Sequence, residues 1–148
     1  GEYQKGMDVC NNICGMNATK YADAIASARE KMSMYTNNEV ARLQQAGDND
    51  GIIAMAEVML STDPTSALAE KIRIQAYNNK KDYDKVIELG ETAALAQTDD
   101  EDKSDVYFIL GAAYNAKEMK PQAIVNLEKV VAGSSVEPAK AALAELKK

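Results

Sequence analysis

The stretch that decides the fold is Tyr107-Phe108-Ile109-Leu110-Gly111-Ala112-Ala113-Tyr114, followed after a polar break by Pro121-Gln122-Ala123-Ile124-Val125-Asn126-Leu127. Tyr107, Leu110, Gly111 and Tyr114 recur at spacings of three and four, the period of one helix face. Ala123, Leu127 and Val130 do the same beyond the break. Gly111 and Ala123 are small enough to let two helices approach closely, and Tyr107, Leu110, Tyr114 and Leu127 fill the space around them. Lys120-Pro121 puts Pro in a first helical turn, where its missing N–H costs nothing. The stretch reads as an antiparallel helix hairpin.

The same pattern stands upstream. Ala76-Tyr77 precedes Asn78-Asn79-Lys80-Lys81-Asp82-Tyr83-Asp84-Lys85-Val86-Ile87, as Ala113-Tyr114 precedes Asn115-Ala116-Lys117-Glu118-Met119-Lys120-Pro121-Gln122-Ala123-Ile124. The two runs are 37 residues apart. Asp50-Gly51-Ile52-Ile53 aligns with Asp84-Lys85-Val86-Ile87 at an offset of 34. A two-helix period near 34 residues resembles the tetratricopeptide repeat. The last copy carries the resemblance best, from about 104 to 130. In the copy before it, Tyr77 and Val86 keep their places, but Gly90 stands where a large residue is expected and Arg73-Ile74 replaces Leu-Gly. Before residue 65 only size and spacing persist, at Leu43, Ile52, Ala56 and Met59. One hairpin of this kind cannot bury its own apolar face, so about three or more must stack. The resemblance implies a single all-α domain over 1–148, with hairpins stacked in a right-handed superhelix.

Punctuation along the chain gives the elements. Thr36 with Glu39 fits a capping box, and Asp63-Pro64 fits an N-cap followed by Pro. Ser135 with Pro138 opens the last element. Apolar residues recur at helical spacing between the breaks, as in Tyr21, Ala24, Ile25, Ala28, Met32 and Tyr35. The expected helices number about nine: 2–14, 18–35, 37–46, 50–61, 64–78, 82–97, 102–117, 120–132 and 136–147. They pair as hairpins 2–35, 37–61, 64–97 and 102–132, with 136–147 as a capping helix whose Lys140, Glu145, Lys147 and Lys148 can face water.

Composition agrees with a packed helical protein. The 148 residues are 46% apolar and 27% charged, which is globular and not disordered. Aromatics make up 5%, with one Phe and no Trp, so the core must come from Ala, Leu, Ile, Val, Met and Tyr. The formal net charge is −6 and no basic stripe is visible, which argues against nucleic acid and anionic membrane surfaces as partners. No apolar run reaches the roughly 18–20 residues needed to cross a bilayer.

The resemblance also implies a groove lined by the first helix of each hairpin, where a protein or peptide partner is held. In the last copy that face carries Asp105, Phe108, Ala112 and Asn115. An exposed Phe beside an Asn suits a peptide anchor, but this chain's one Phe could equally pack on a neighbouring helix. The preceding helix offers Lys71, Gln75, Asn78 and Asn79, unless they are only a solvated face; Gln44 and Gln45 are similar. Relatives that clamp a terminal carboxylate use several groove cations, and Lys71 alone is placed for that. The expectation is therefore a non-catalytic scaffold.

Other features are open to a packing reading. Cys10 and Cys14 lie with Met7 on one helix face, near Met16, which could take a soft metal or close a one-turn disulfide. Tyr3, Met7, Cys10, Ile13 and Cys14 are also an ordinary apolar stripe. A rival function follows from the first reading, that of a ligand- or soft-metal-binding accessory protein; a third is an oligomeric structural piece. Asp99 to Asp102 lacks the alternation of a calcium loop and suits a helix N-terminus. There is no His and no phosphate loop or nucleophile elbow, so neither an enzyme nor a cofactor or metal site is expected. The Gly1 start is read as a processed form and, with the Asn-rich turns, leans towards an exported bacterial protein of the periplasm or cell envelope.

Overall fold

The structure is a computed structural model that describes residues 2–16 and 19–148. The described residues form eight α-helices and no strand: α1 (Glu2–Cys14), α2 (Ala22–Ala46), α3 (Asn49–Thr62), α4 (Ala67–Asn79), α5 (Tyr83–Ala96), α6 (Asp100–Ala116), α7 (Lys120–Glu128) and α8 (Val136–Leu146). Among the described residues no helix is long and apolar enough to cross a membrane. The chain divides into two compact units, Gly1–Asp48 and Asn49–Lys148.

The all-α expectation holds, but the count of nine does not. The helices expected at 18–35 and 37–46 are one continuous α2. No Gly or Pro interrupts Ala22–Ala46. Thr36 does not cap; it is buried in mid-helix, and its hydroxyl is hydrogen-bonded to that of Tyr3 at 3.2 Å. Glu39 instead takes both guanidinium bonds of Arg42, at 2.7 and 2.8 Å. A second correction falls at Asp63, expected to cap a helix beginning at 64. Its Oδ1 accepts from the Thr65 N–H at 2.9 Å and the Thr65 hydroxyl at 2.7 Å, which makes a turn. The cap is Ser66, whose Oγ accepts from Ala69 N–H at 3.3 Å.

In the N-terminal unit, α1 and α2 pack on each other through Met7, Cys10, Ile25 and Ala28. In the second unit each helix packs on the next from α3 to α8, and α4 also touches α6. The core here is Ile74, Val86, Ala93, Ala94, Val106, Leu110, Ala113 and Leu127, with Tyr107, Val130 and Ala139 at its edge. Side-chain pairs at the helix ends set the directions. Lys80 at the end of α4 meets Asp50 at the start of α3, and Lys117 after α6 meets Asp84 at the start of α5 at 2.9 Å. Neighbours in sequence are therefore antiparallel, and α4 runs parallel to α6.

The periodicity reappears in the turns. Lys81 and Glu118 take the left-handed conformation, with φ of +59° and +60°. Around Lys81, its N–H reaches Asn78 O at 2.9 Å and the next N–H, of Asp82, reaches Tyr77 O at 3.0 Å. Around Glu118 the same bonds run to Asn115 O and Tyr114 O, both at 2.9 Å. Gly47 at the end of α2 has φ +66°, with bonds from Gly47 to Gln44 O at 3.1 Å and from Asp48 to Leu43 O at 2.9 Å. All three are Schellman caps, in which a left-handed residue folds the last N–H groups back onto the helix's free carbonyls. They stand 34 and 37 residues apart, the spacings of the repeat.

Two glycines permit the closest contacts. A Cβ on Gly111 would lie 2.7 Å from Leu127 Cγ and 3.3 Å from the Ala123 carbonyl oxygen. A Cβ on Gly90 would lie 2.6 Å from Leu110 Cδ1. This explains the small residue where the repeat calls for a large one, because Leu110 from α6 occupies the space. The Arg73-Ile74 departure is also resolved. Ile74 fills the core, and Arg73 Nη2 bonds the buried Glu70 carboxylate at 2.6 Å.

Two substitutions should move stability in opposite directions. Gly111→Leu overpacks the α6–α7 contact and should destabilise by about 1–3 kcal/mol. Glu118→Gly relieves a left-handed non-Gly residue and should stabilise by about 0.5–1 kcal/mol. Urea melts of the second unit's signal read both; an unchanged midpoint for Gly111→Leu refutes the packing.

Candidate functional site

The face expected to form the groove lies on α4 and α6. Because these helices touch and run parallel, Lys71, Gln75 and Asn78 form one stripe and Asp105, Phe108, Ala112 and Asn115 form a second in the same direction. The structure joins the two stripes at one end. Lys71 Nζ donates to Asp105 Oδ2 at 3.2 Å and to Asp102 Oδ1. Asp105 Oδ1 in turn accepts from the Ser135 hydroxyl, just before α8, at 2.6 Å. A polar chain thus connects α4, α6 and the start of α8.

Burial pulls the Lys71 pKa down, and this is the largest single influence. The hydrogen bonds and charges of Asp102 and Asp105 together outweigh it and hold the ammonium above the ordinary lysine value. A raised lysine pKa contributes stability in full below the unfolded value, and loses it only as pH rises through the folded one. The link is therefore constant across neutral pH. It also means that a ligand's carboxylate would have to displace Asp102 or Asp105 to reach Lys71.

The remaining residues divide by exposure. Gln75 and Asn78 are half-buried, while Ala112 and Asn115 are exposed. Phe108 is half-buried and packs against the core, the packing alternative for this side chain. Asn79 turns towards α3, its Nδ2 donating to Asn49 Oδ1 at 3.2 Å. Gln44 is exposed on α2, in the other unit. Of the repeat positions, Tyr107, Leu110, Gly111, Ala123, Leu127 and Val86 are buried, and Tyr77 and Tyr114 pack on the core from its edge. Tyr107 also lies under Lys129, whose Nζ is 4.5 Å from the ring centre.

At the N-terminus, Met7 and Cys10 are spent in the α1–α2 seam, Cys14 is half-buried and Met16 is exposed. Both cysteines are free thiols. No group of three or more His, Cys, Asp or Glu able to hold a metal occurs among the described residues. The run at Asp99 serves the start of α6, with Asp99 Oδ1 accepting from the N–H groups of Glu101 and Asp102 at 2.9 and 3.1 Å.

Two buried polar residues matter more than the sequence reading allowed. Ser104, 1% exposed, accepts from the N–H groups of Val131 and Ala132, both at 3.1 Å, and ties the chain after α7 to α6. Gln97 donates to Ala93 O at 2.9 Å and Ala67 O at 3.0 Å, and ties the end of α5 to the start of α4. The available signal was position. Ser104 lies three residues before Tyr107 and Gln97 four after Ala93, both on apolar stripes, where a polar group must find a partner.

Ser104→Ala strands two N–H groups, at a cost of about 1–3 kcal/mol. Amide exchange at Val131 and Ala132 should accelerate more than at Val86. Unchanged exchange at those two amides would dismiss the tie.

No family model matches the chain, and no curated protein or solved structure matches it.

Proposed function

We propose that the chain is a tetratricopeptide-type interaction module that holds a protein or peptide partner on the joined α4–α6 face, without chemistry of its own. The observation that carries this reading is the recurrence of one Schellman-capped turn at offsets of 34 and 37, coupled to the Lys71–Asp105 link between parallel helices. Repeats of this length place equivalent helices side by side, which is how such arrays present a continuous binding face. In this reading the hairpins continue as a right-handed superhelix and α8 caps it. Gln75, Asn78 and Asn115, whose amides are not committed to the core, and the exposed methyl of Ala112 meet the partner. Lys71 and Asp105 set the spacing of the face. The soft-metal reading is weaker, because Met7 and Cys10 already fill the α1–α2 seam.

The test is positional. A photo-reactive benzophenone side chain is placed at Ala112 on the proposed face or at Val125, exposed on α7. Illumination in lysate of the producing organism should cross-link one partner from position 112 and not from 125. Ala112→Arg should reduce retention of that partner at least tenfold, about 1.4 kcal/mol, while Val125→Arg leaves it unchanged. Equal cross-linking from both positions, or none from 112, sinks the proposal.

A further inference from the structure

The α1–α2 hairpin carries a feature that the α4–α6 face does not use. Two open cavities, of about 430 and 560 Å³, lie end to end along the hairpin, with Gly6 and Tyr35 in the walls of both. Together they follow α2 from Ala24 to Arg42, about 27 Å at the helical rise.

The larger cavity is apolar along its length. Val9, Cys10 and Ile13 line it from α1, and Ala24, Ala28 and Tyr35 from α2. Val9 is 58% exposed and Tyr35 46%, a large apolar surface for so small a unit to leave open to water. Lys5 borders it from α1 and Lys31 from α2, and no carboxylate lines it. Two ammonium groups thus flank the larger cavity with no carboxylate in its walls, in a chain whose net charge is −6, while Glu2, Glu39 and Arg42 line the smaller cavity beyond Tyr35.

The lining repeats at helical intervals on both walls, with Lys5, Val9 and Ile13 at steps of four and Ala24, Ala28, Lys31 and Tyr35 at steps of four and three. Such ridges accept the ridges of another helix. Two helices enclose little core between them, and a third laid in the trough would close one, as in helix-in-groove recognition.

We propose that this trough receives one amphipathic helix of a partner protein, whose apolar stripe lies on Val9, Ile13 and Tyr35 and whose flanking carboxylates meet Lys5 and Lys31. The surface is separate from the α4–α6 face, and either proposal can fail without the other.

The test uses two designed 18-residue helical peptides with the same leucine stripe, one bordered by Glu and one by Lys. Fluorescence anisotropy with the full chain should show the Glu-bordered peptide binding at least tenfold more tightly. The double substitution Lys5→Glu with Lys31→Glu should reverse that preference. Tyr35→Asp should weaken the Glu-bordered peptide at least tenfold with helicity unchanged, and Ala112→Arg should have no effect. Should Tyr35→Asp unfold the hairpin, the lysine reversal still decides, because both lysines are exposed. Failure of both peptides to bind, equal binding of the two, or a preference that survives the lysine reversal overturns the proposal.

Discussion

The second unit depends on two leucines seated against two glycines. Leu127 of α7 rests where Gly111 of α6 has no Cβ, and Leu110 of α6 rests where Gly90 of α5 has none. Leu110 and Gly111 are consecutive, so α6 gives a side chain to one neighbour and receives one from the other. This makes α6 the helix through which α5 and α7 are set against each other. Both leucines are 2% exposed, so neither can move aside cheaply. The register of the helices follows, and with it the alignment that brings Asp105 beneath Lys71.

The turns keep that register. A Schellman cap ends a helix at a defined carbonyl and starts the next helix at a defined angle. Its left-handed residue is best filled by Gly, as at Gly47, yet the two later copies use Lys81 and Glu118. Tolerating that strain twice, in the same conformation, indicates that tertiary packing imposes the turn. The spacing differs because α6 has 17 residues and α4 has 13, while the loop before α6, 97–99, is one residue shorter than the loop before α4, 63–66. Lys71 bridges the mismatch by reaching both Asp102 and Asp105, one turn apart on the longer helix.

These features explain what was legible in the sequence. Helix period and small-residue positions report packing directly, so the hairpin at 104–130 and the role of Gly111 could be read from residue types alone. Caps were less legible, because Thr36 and Asp63 have more than one use. Thr36 sits in mid-helix since its hydroxyl finds Tyr3, a partner 33 residues away that no local pattern shows. Asp63 prefers the turn made by Thr65, two residues on, to the helix beyond it. The candidate face was legible as positions and not as charges. Lys71 and Asp105 looked like separate groove groups, and only the fold brings them together.

That pairing limits how the α4–α6 face can bind. Its one placed cation is committed to two carboxylates, Asp102 and Asp105, and Asp105 also holds Ser135, so Lys71 is fully compensated and the charged end of the face keeps a net charge of −1. An anionic partner gains no Coulombic attraction there, and any partner must desolvate an ion cluster to approach it. The available contacts lie further along, at the amides of Gln75, Asn78 and Asn115 and the methyl of Ala112. Amides both donate and accept, and they fit a peptide backbone in either direction with little regard to side-chain charge. On the proposed reading, recognition on this face rests on shape and backbone hydrogen bonds. In the proposal for the α1–α2 hairpin, by contrast, charge selection falls to Lys5 and Lys31, which border a cavity that no carboxylate lines.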